Sequence, residues 1–256
     1  MVKQLRDATS AGMMDCKRAL QETDGDFDAA AKLLREKGLA SAAKRADRET
    51  TEGQVALSVD ANVGTIVAIG CETEPVSKND EFKAFVAKVL ETTKSGGDIE
   101  SLDIERAELS GKLGENIQII GTKRLEAAGD EHLAEYIHFT HKVGALVLTR
   151  GGSRETARSL ALHLTFARPT FSTRDEIPQD LVDAEREILR NSDEVMSKPE
   201  DVREKIVEGM LNKRFYAESV LNEQQWYRPD EATGTVSKVL ADQGVEIVDY
   251  AWYSVG

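Results

Sequence analysis

Apolar residues recur at helical spacing through the first forty residues of the chain. Three short runs are visible, and the second contains Met13, Cys16 and Leu20 at positions i, i+3 and i+7. Residues 10–12 separate the first two runs, and Gly38 stands where a C-cap would end the third. Helices this short are stable only when they bury one another's apolar faces. The pattern therefore predicts a compact module of three helices.

Beyond the first fifty residues the apolar period changes to two. Val55, Leu57 and Val59 alternate with polar residues, and a turn follows at 62–64. The next segment, 64–70, is an unbroken apolar run rich in β-branched residues, which is typical of a strand buried on both faces. A β-hairpin with one central strand is predicted here.

An amphipathic helix is predicted after this hairpin. Its apolar residues share one helical face: Phe82, Phe85, Val86, Val89 and Leu90. Ser77 and Asp80 have the spacing of a capping box at its start. The intervening turn, 72–76, carries two carboxylates and a proline at the end of a strand, where functional groups are often placed. This turn is either a presented surface or a plain connection.

The order of hairpin and helix recurs later in the chain. Residues 64–67 align with 144–147, and a helix is predicted after each of these segments. The elements predicted around this repeat are strands at 132–138 and 143–148, a helix at 155–167, and an intervening helix at 105–113 and strand at 117–125. Two related α+β units are the simplest account.

Two further helical patterns follow the second unit, at 177–191 and 199–215. They predict an antiparallel helical arm about 22 Å long. The predicted seam residues are Leu181, Ile188, Val202, Ile206, Met210 and Phe215. A last helix at 235–243 and an apolar strand at 245–253 are expected to rejoin the second unit.

Composition and charge exclude several classes of protein. The net charge of −13 argues against a general binder of nucleic acids or anionic membranes, which need an excess of lysine and arginine. Two cysteines without a CxxC motif argue against a disulfide scaffold. No apolar run approaches the length of a membrane span, and no signal peptide is recognised. We expect a soluble cytoplasmic protein.

The motifs of common catalytic and nucleotide sites do not occur. Neither GxxxxGK[ST] nor GxGxxG is found. His132, His138 and His141 cluster loosely in sequence and leave weak metal binding open, whereas His163 is expected to be a buried residue with satisfied hydrogen bonds. Glu72 and Glu74 resemble a carboxylate pair but lack the opposing wall of a glycosidase cleft. A binding role is predicted, with no enzyme activity and no cofactor.

Ordered motifs along nearly the whole chain resemble the elongation factor Ts family. The segment LRDATSAGMMDCKRAL at 5–20 is similar to the N-terminal signature of that family, and GCETEPVSKNDEF at 70–82 is similar to its Cys-x-Thr-Asp-Phe-Val turn. Shorter matches follow in the family's order: GENI at 114–117, YIH at 136–138, KVG at 142–144, ALHL at 161–164 and EQ at 223–224.

The resemblance implies a fold and a partner. The fold would comprise an N-terminal ubiquitin-associated-like module, a core of two hairpin-plus-helix units and a protruding coiled coil. The corresponding segments are 1–52, 53–130, 131–176, 177–217 and 218–256. The partner would be the GTPase elongation factor Tu, from which the family releases GDP without binding nucleotide itself. The resemblance leaves a homodimer or a 2:2 assembly with the partner open.

The resemblance also implies which residues meet the partner. Arg6, Met13 and Met14 match positions that dock on the GTPase domain. Glu74 and Pro75 would press beside the nucleotide and disturb its magnesium and phosphate contacts, with Thr73 and Val76 holding the turn. His138 belongs to the second unit, which would grip another partner domain. Helical geometry turns Met14 about 100° away from Met13, so its side chain either is exposed for binding or packs under a loop.

Three departures from the family pattern affect this expectation. Glu74-Pro75 replaces the usual Asp-Phe, so a small rigid ring stands where an aromatic wedge is expected. Residues 139–141 (Phe-Thr-His) replace a glycine-rich turn, and Ser10 replaces a glycine. A paralogue that binds the GTPase without exchanging nucleotide is therefore the alternative to an active exchange factor.

Overall fold

The computed structural model describes residues 1–9, 11–228 and 230–256, so Ser10 lies outside the described residues. The chain divides into two compact units. The first comprises Met1–Arg124, Ile137–Gly144 and Tyr253–Gly256, and the second comprises Leu125–Tyr136 and Ala145–Trp252. The mixture of helices with small sheets confirms the predicted α+β class. The ubiquitin-associated-like character of the N-terminal module and the five-segment division stay predictions.

Three helices open the first unit: α1 (Val2–Thr9), α2 (Met13–Glu22) and α3 (Phe27–Ala43). They pack around a small core that contains Leu5, Cys16, Leu20 and Ala30. Met13 was expected in this core, but 45% of it is exposed, because it is the first residue of α2 and the helix buries only its later residues, from Cys16 onward. The predicted three-helix order is confirmed.

Gly38 does not end the third helix, contrary to the C-cap prediction. The helix α3 continues to Ala43, and Gly38 lies against Gly111 of the helix α6 (Asp103–Leu113). A Cβ atom added to Gly111 would come within 2.8 Å of the Gly38 backbone. The two glycines thus allow the backbones of two helices to touch, and this contact holds α3 on the rest of the first unit.

The first sheet has the order β1-β2-β3, with β1 at Glu52–Asp60, β2 at Val63–Cys71 and β3 at Gln118–Glu126. The strands β1 and β2 are antiparallel, and their register pairs Glu52 with Cys71 and Asp60 with Val63. From the second residue of β2 onward the strand is buried throughout, which confirms the predicted central strand.

A short helix α4 (Glu74–Ser77) and the long helix α5 (Asp80–Lys94) follow this sheet. Phe82, Phe85, Val86 and Val89 of α5 pack with Val67, Ile69 and Cys71 of β2 in one apolar cluster. The capping-box prediction is wrong by two residues. Asn79 is the N-cap, and its side chain accepts hydrogen bonds from the backbone N–H groups of Glu81 and Phe82.

The second sheet has the order β4-β5-β6, formed by β4 (Glu131–Ile137), β5 (Val143–Arg150) and β6 (Glu246–Ser254). The last strand thus joins this sheet, as predicted. Two helices, α7 (Arg154–Ala167) and α12 (Val236–Asp242), contribute to the same core cluster as β5. Ala157, Leu160, Ala161 and Leu164, the predicted inner face of α7, are all fully buried.

The stretch after α7 contains α8 (Gln179–Arg190), α9 (Asp193–Met196) and α10 (Glu200–Met210), followed by a π-helical turn (Leu211–Tyr216) and α11 (Ala217–Ser219). Arg186 pairs with Glu208 at 2.9 Å and Arg190 with Glu204 at 2.8 Å, so α8 and α10 are antiparallel. Twelve residues make α8 about 18 Å long. That this pair protrudes as an arm stays a prediction.

The predicted seam of the helical pair is wrong by one residue on α8. Leu181 and Ile188 are 42% and 66% exposed, whereas their neighbours Val182 and Leu189 are buried. The buried cluster also contains Met210 as predicted, and Val207 of α10. Each apolar pair offers two adjacent residues about 100° apart, and the facing helix decides which of them is buried.

His163 of α7 is fully buried and hydrogen-bonded, as predicted. Its Nε2 lies 2.9 Å from Oε1 of Gln224, and its Nδ1 accepts a hydrogen bond from the backbone N–H of Tyr227. The ring stacks on Trp226 with a centroid separation of 5.7 Å. An acceptor role for Nδ1 requires the neutral imidazole with its proton on Nε2.

Burial lowers the pKa of His163 below its ordinary value, which gives a testable pH dependence of stability. Because the unfolded chain takes up this proton first, the contribution of His163 is complete above pH ~6.5 and is lost as the pH falls below it, by at most about 1.4 kcal/mol per pH unit. The free energy of unfolding, measured with urea, should fall less between pH 7.5 and pH 5.5 for His163→Gln than for the wild type. The exposed His141→Gln variant is the control, and equal losses in all three proteins would contradict the assignment.

Candidate partner-binding site

The turn that follows β2 forms one helical turn rather than an irregular connection. Thr73 is its N-cap in extended backbone geometry, and the backbone N–H groups of Ser77 and Lys78 bond to the carbonyls of Thr73 and Glu74 at 3.1 Å. Pro75 occupies the first turn of α4, where a backbone N–H is not needed. Thr73, Glu74 and Pro75 are exposed, whereas Val76 is partly buried against the core cluster of the first unit.

Glu115, just after the end of α6, holds the start of this turn. One of its carboxylate oxygens accepts hydrogen bonds from the backbone N–H groups of Glu72 and Thr73, both at 3.0 Å. The other oxygen accepts a hydrogen bond from the Thr73 hydroxyl. Hydrogen bonds to a carboxylate are stronger than neutral ones. A single side chain therefore fixes both the backbone and the side chain at the N-cap of α4.

Asn116 extends this clamp to the chain segment before β1. Its backbone N–H donates to the Glu72 carboxylate at 2.7 Å, and its side-chain amide donates to the carbonyls of Ala46 and Arg48 at 3.1 and 2.7 Å. The Arg48 guanidinium also lies 3.3 Å from the Glu72 carboxylate. Glu72 is thus a structural partner of Asn116 and Arg48, and it is directed away from a pairing with Glu74.

Gly114 explains why Glu115 and Asn116 can reach the turn. It ends α6 in the left-handed conformation, with φ of 78°, which residues with a Cβ adopt rarely. The chain reverses there, and the Ser110 hydroxyl then donates to the Glu115 carbonyl at 2.6 Å. The sequence motif GENI marked this segment only as a match to a family pattern. Its role as a clamp was not predicted, because Glu115 lies 42 residues from Thr73.

Cys71 is not a nucleophile in this site. Its thiol is buried and donates a weak hydrogen bond to the Thr73 carbonyl at 3.4 Å. Burial, together with the charge of Glu115, raises the pKa of Cys71 to about 12. The thiol therefore stays protonated at neutral pH and acts as a small buried group beneath the turn.

Two ion pairs lie side by side next to α4. Lys78 pairs with Glu74 at 2.7 Å, and Lys142 pairs with Glu52 at 2.7 Å. The hydrogen bond from Lys78 lowers the pKa of Glu74, and the charge of Lys142 lowers it further. Glu74 therefore stays ionised at neutral pH and presents a carboxylate on an exposed turn.

The connection between β4 and β5 lies at the same face of the first unit. The backbone N–H of Val55 in β1 donates to the His141 carbonyl at 2.7 Å, and the adjacent Gln54 side chain donates to the Ser77 carbonyl at 3.1 Å. The strand β1 thus holds both α4 and this connection. His138 was expected in the second unit, but it lies in the segment 137–144 that packs with the first. It is partly buried, and its Nδ1 lies 2.8 Å from the Thr140 hydroxyl.

The other predicted contact residues lie on the first two helices. Arg6 of α1 is exposed, and Met14 at the start of α2 is 62% exposed. This exposure excludes the alternative that Met14 packs under a loop. Met13 is exposed beside it, so the second helix presents two flexible apolar side chains to solvent, as adaptable binding surfaces often do. Their contact with a partner stays a prediction.

The described part of the chain has neither a cluster suited to a metal ion nor a helix suited to crossing a membrane. No group of three or more His, Cys, Asp or Glu side chains in residues 1–9, 11–228 and 230–256 is placed to hold a metal ion, and the three loosely clustered histidines form no such group. Across these same residues, none of the helices combines the length and apolar character that crossing a bilayer requires.

Comparisons with known proteins give one consistent family. A family model described as Elongation factor TS matches residues 72–256. The chain is 37% identical to elongation factor Ts of Halorhodospira halophila, with 100% of this chain and 91% of the relative covered. It is 40% identical to elongation factor Ts of Deinococcus deserti, with coverage of 96% and 95%. It is also 40% identical to that of Saccharopolyspora erythraea, with coverage of 100% and 96%.

Proposed function

Since the chain belongs to the elongation factor Ts family, we propose that it binds elongation factor Tu carrying GDP and promotes release of the GDP. The observation that supports this proposal best is the exposed turn of Thr73, Glu74 and Pro75, which Glu115 holds in one orientation. A rigid, exposed and charged turn suits insertion into another protein's site. No chemical bond is made or broken, so the protein acts as an exchange factor and not as an enzyme.

Exchange of this kind is a coupling of two binding equilibria. If bound GDP weakens the binding of this protein to the GTPase, then this protein weakens the binding of GDP by the same factor. Each 1.4 kcal/mol or so of coupling changes the GDP affinity about tenfold. In the proposed complex Glu74 brings an ionised carboxylate beside the phosphates, which it repels, and beside their magnesium ion, for which it competes with the phosphates.

The remaining contacts supply affinity rather than displacement. Arg6, Met13 and Met14 dock on the GTPase domain through an exposed cation and two flexible apolar side chains. His138 belongs to the connection between β4 and β5 and contacts a second partner domain. Because these groups do not enter the nucleotide site, their removal changes the affinity for the GTPase more than the rate of GDP release at saturation.

The proposal is tested by following fluorescent GDP as it leaves purified elongation factor Tu. Saturating amounts of this protein should accelerate release at least tenfold over the spontaneous rate. Absence of any acceleration at a stoichiometric excess would refute the exchange function. Isothermal titration calorimetry on the same proteins reports binding separately from release.

A binding-only paralogue is the second candidate, and Pro75 is the observation that favours it. The proline ring buries much less area than the phenylalanine usual in the family. Binding in calorimetry with unchanged GDP release would select this candidate. In that case Pro75→Phe should restore release, because α4 already presents position 75 to solvent. Equal release by the wild type and Pro75→Phe, both well above the spontaneous rate, would exclude it.

A further inference from the structure

Phe139 has the largest exposed fraction among the exposed large apolar side chains of the described residues. The side chain lies at the tip of the connection between β4 and β5 and is 85% exposed. Burial of an aromatic ring from water lowers the free energy of the system. Single exposed rings on ordered turns are therefore frequent anchors of interfaces. Its one ring contact among the described residues is with the adjacent His138, which leaves most of the ring in solvent.

The connection that carries Phe139 is well ordered. The backbone N–H of His138 donates to the Val143 carbonyl at 2.9 Å, and that of His141 donates to the His138 carbonyl at 2.8 Å. The His138 ring packs against Phe139 with a centroid separation of 4.3 Å. Little conformational entropy would be lost when such a turn binds, so its apolar area would contribute fully to affinity.

Phe139 and the turn of Glu74 and Pro75 belong to one surface. Consecutive residues of β1 hold them, since Gln54 bonds to the Ser77 carbonyl and Val55 bonds to the His141 carbonyl. The two ion pairs also interact electrostatically, because the charge of Lys142 stabilises ionised Glu74 and the charge of Glu52 stabilises protonated Lys78. A partner that covers α4 would therefore also meet the tip of the neighbouring connection.

We infer that Phe139 is an apolar anchor that inserts into a pocket of the same GTPase that receives α4. This inference rests on the proposed function and adds to it a residue that determines affinity. The ring supplies aromatic area next to a turn in which Pro75 supplies little. The neighbouring ion pairs, Glu74 with Lys78 and Glu52 with Lys142, form the polar rim that such anchors usually have.

The test compares Phe139→Ala and Phe139→Leu with the wild type by calorimetry against elongation factor Tu carrying GDP. Phe139→Ala should raise Kd about 30-fold, and Phe139→Leu should retain most of the affinity. The rate of GDP release at saturation should stay within about threefold of the wild type for both variants, because the anchor acts through affinity. Ile188→Ala, which removes an exposed apolar residue of α8, is the matched control and should leave Kd unchanged.

Three results would overturn the inference. A Kd for Phe139→Ala within about twofold of the wild type, while the wild type binds and releases GDP, would reject the anchor and leave the proposed exchange function intact. A wild type that neither binds the GTPase nor accelerates GDP release would reject both. Sedimentation of the free protein is included, because loss of a self-associated form in Phe139→Ala with unchanged Kd would assign the ring to a second copy of this chain and reject the anchor.

Discussion

Replacing Glu115 with alanine is expected to lower the saturated rate of GDP release about tenfold or more. The substitution removes the acceptor of three hydrogen bonds, from the backbone of Glu72 and from the backbone and hydroxyl of Thr73. The N-cap of α4 then loses its fixed orientation, and displacements of about 1 Å in a positioned group can reduce rates severely. The loss of charge-assisted hydrogen bonds should also lower the free energy of unfolding by about 2 kcal/mol.

The controls separate positioning from general destabilisation. Glu105→Ala removes a partly buried glutamate of α6 that pairs with Lys88 and makes none of the hydrogen bonds at the N-cap of α4, so it should leave GDP release unchanged. Glu115→Gln keeps one acceptor oxygen and should fall between the wild type and Glu115→Ala. Measurements well below the unfolding midpoint of each variant exclude loss of folded protein. If Glu115→Ala released GDP at the wild-type rate, the hydrogen bonds of Glu115 would not be needed to position the turn.

A branched side chain at Gly111 is expected to lower the free energy of unfolding of the protein by about 3 kcal/mol. A Cβ atom at Gly111 would meet the carbonyl carbon, carbonyl oxygen and Cα of Gly38 at 2.8 to 2.9 Å, and backbone atoms cannot turn aside as a side chain can. Gly111→Val must therefore push α3 away from α6, and overpacking of this kind is costly. Urea denaturation measures the effect.

The same contact predicts an asymmetry between its two glycines. A Cβ atom at Gly38 would lie 3.8 Å from the Cα of Gly111, which is an ordinary contact. Gly38→Ala should therefore be neutral or stabilise by up to about 1 kcal/mol, because alanine is the better residue inside a helix. Equal destabilisation by Gly38→Ala and Gly111→Val would contradict the geometry of this crossing.

Local patterns predicted most helices and strands because their causes are local. The apolar run of β2 and the helical face of α5 follow from the burial of neighbouring side chains, and the alternation in β1 marked the strand although only Val55 of its three alternating residues is buried. The prediction that Gly38 is a C-cap was wrong because glycine can either end a helix or allow two helices to approach closely. Only the position of Gly111, distant in sequence, shows that the second applies. The seam of α8 failed for a similar reason, since Leu181 and Val182 are equally apolar and the facing helix chooses between them.

The candidate site was predicted in part. The exposure of Glu74, Pro75 and Met14 follows from their positions in a turn and on the outer side of a helix. The clamp of Glu115 and Asn116 could not be predicted, because it depends on the reversal at Gly114 and on the packing of α6 against the sheet. Glu72 was grouped with Glu74 by spacing, but Asn116 and Arg48 bind its carboxylate and give the two acids different roles.

The most direct test of the central idea separates displacement from binding at the turn itself. In the double variant Glu74→Ala with Pro75→Ala, α4 loses both of the exposed groups that enter the nucleotide site in our proposal. We predict that its rate of GDP release from elongation factor Tu at saturation falls at least tenfold below the wild type, while Kd for the GTPase changes less than about threefold. A double variant that releases GDP as fast as the wild type would contradict the assignment of displacement to this turn.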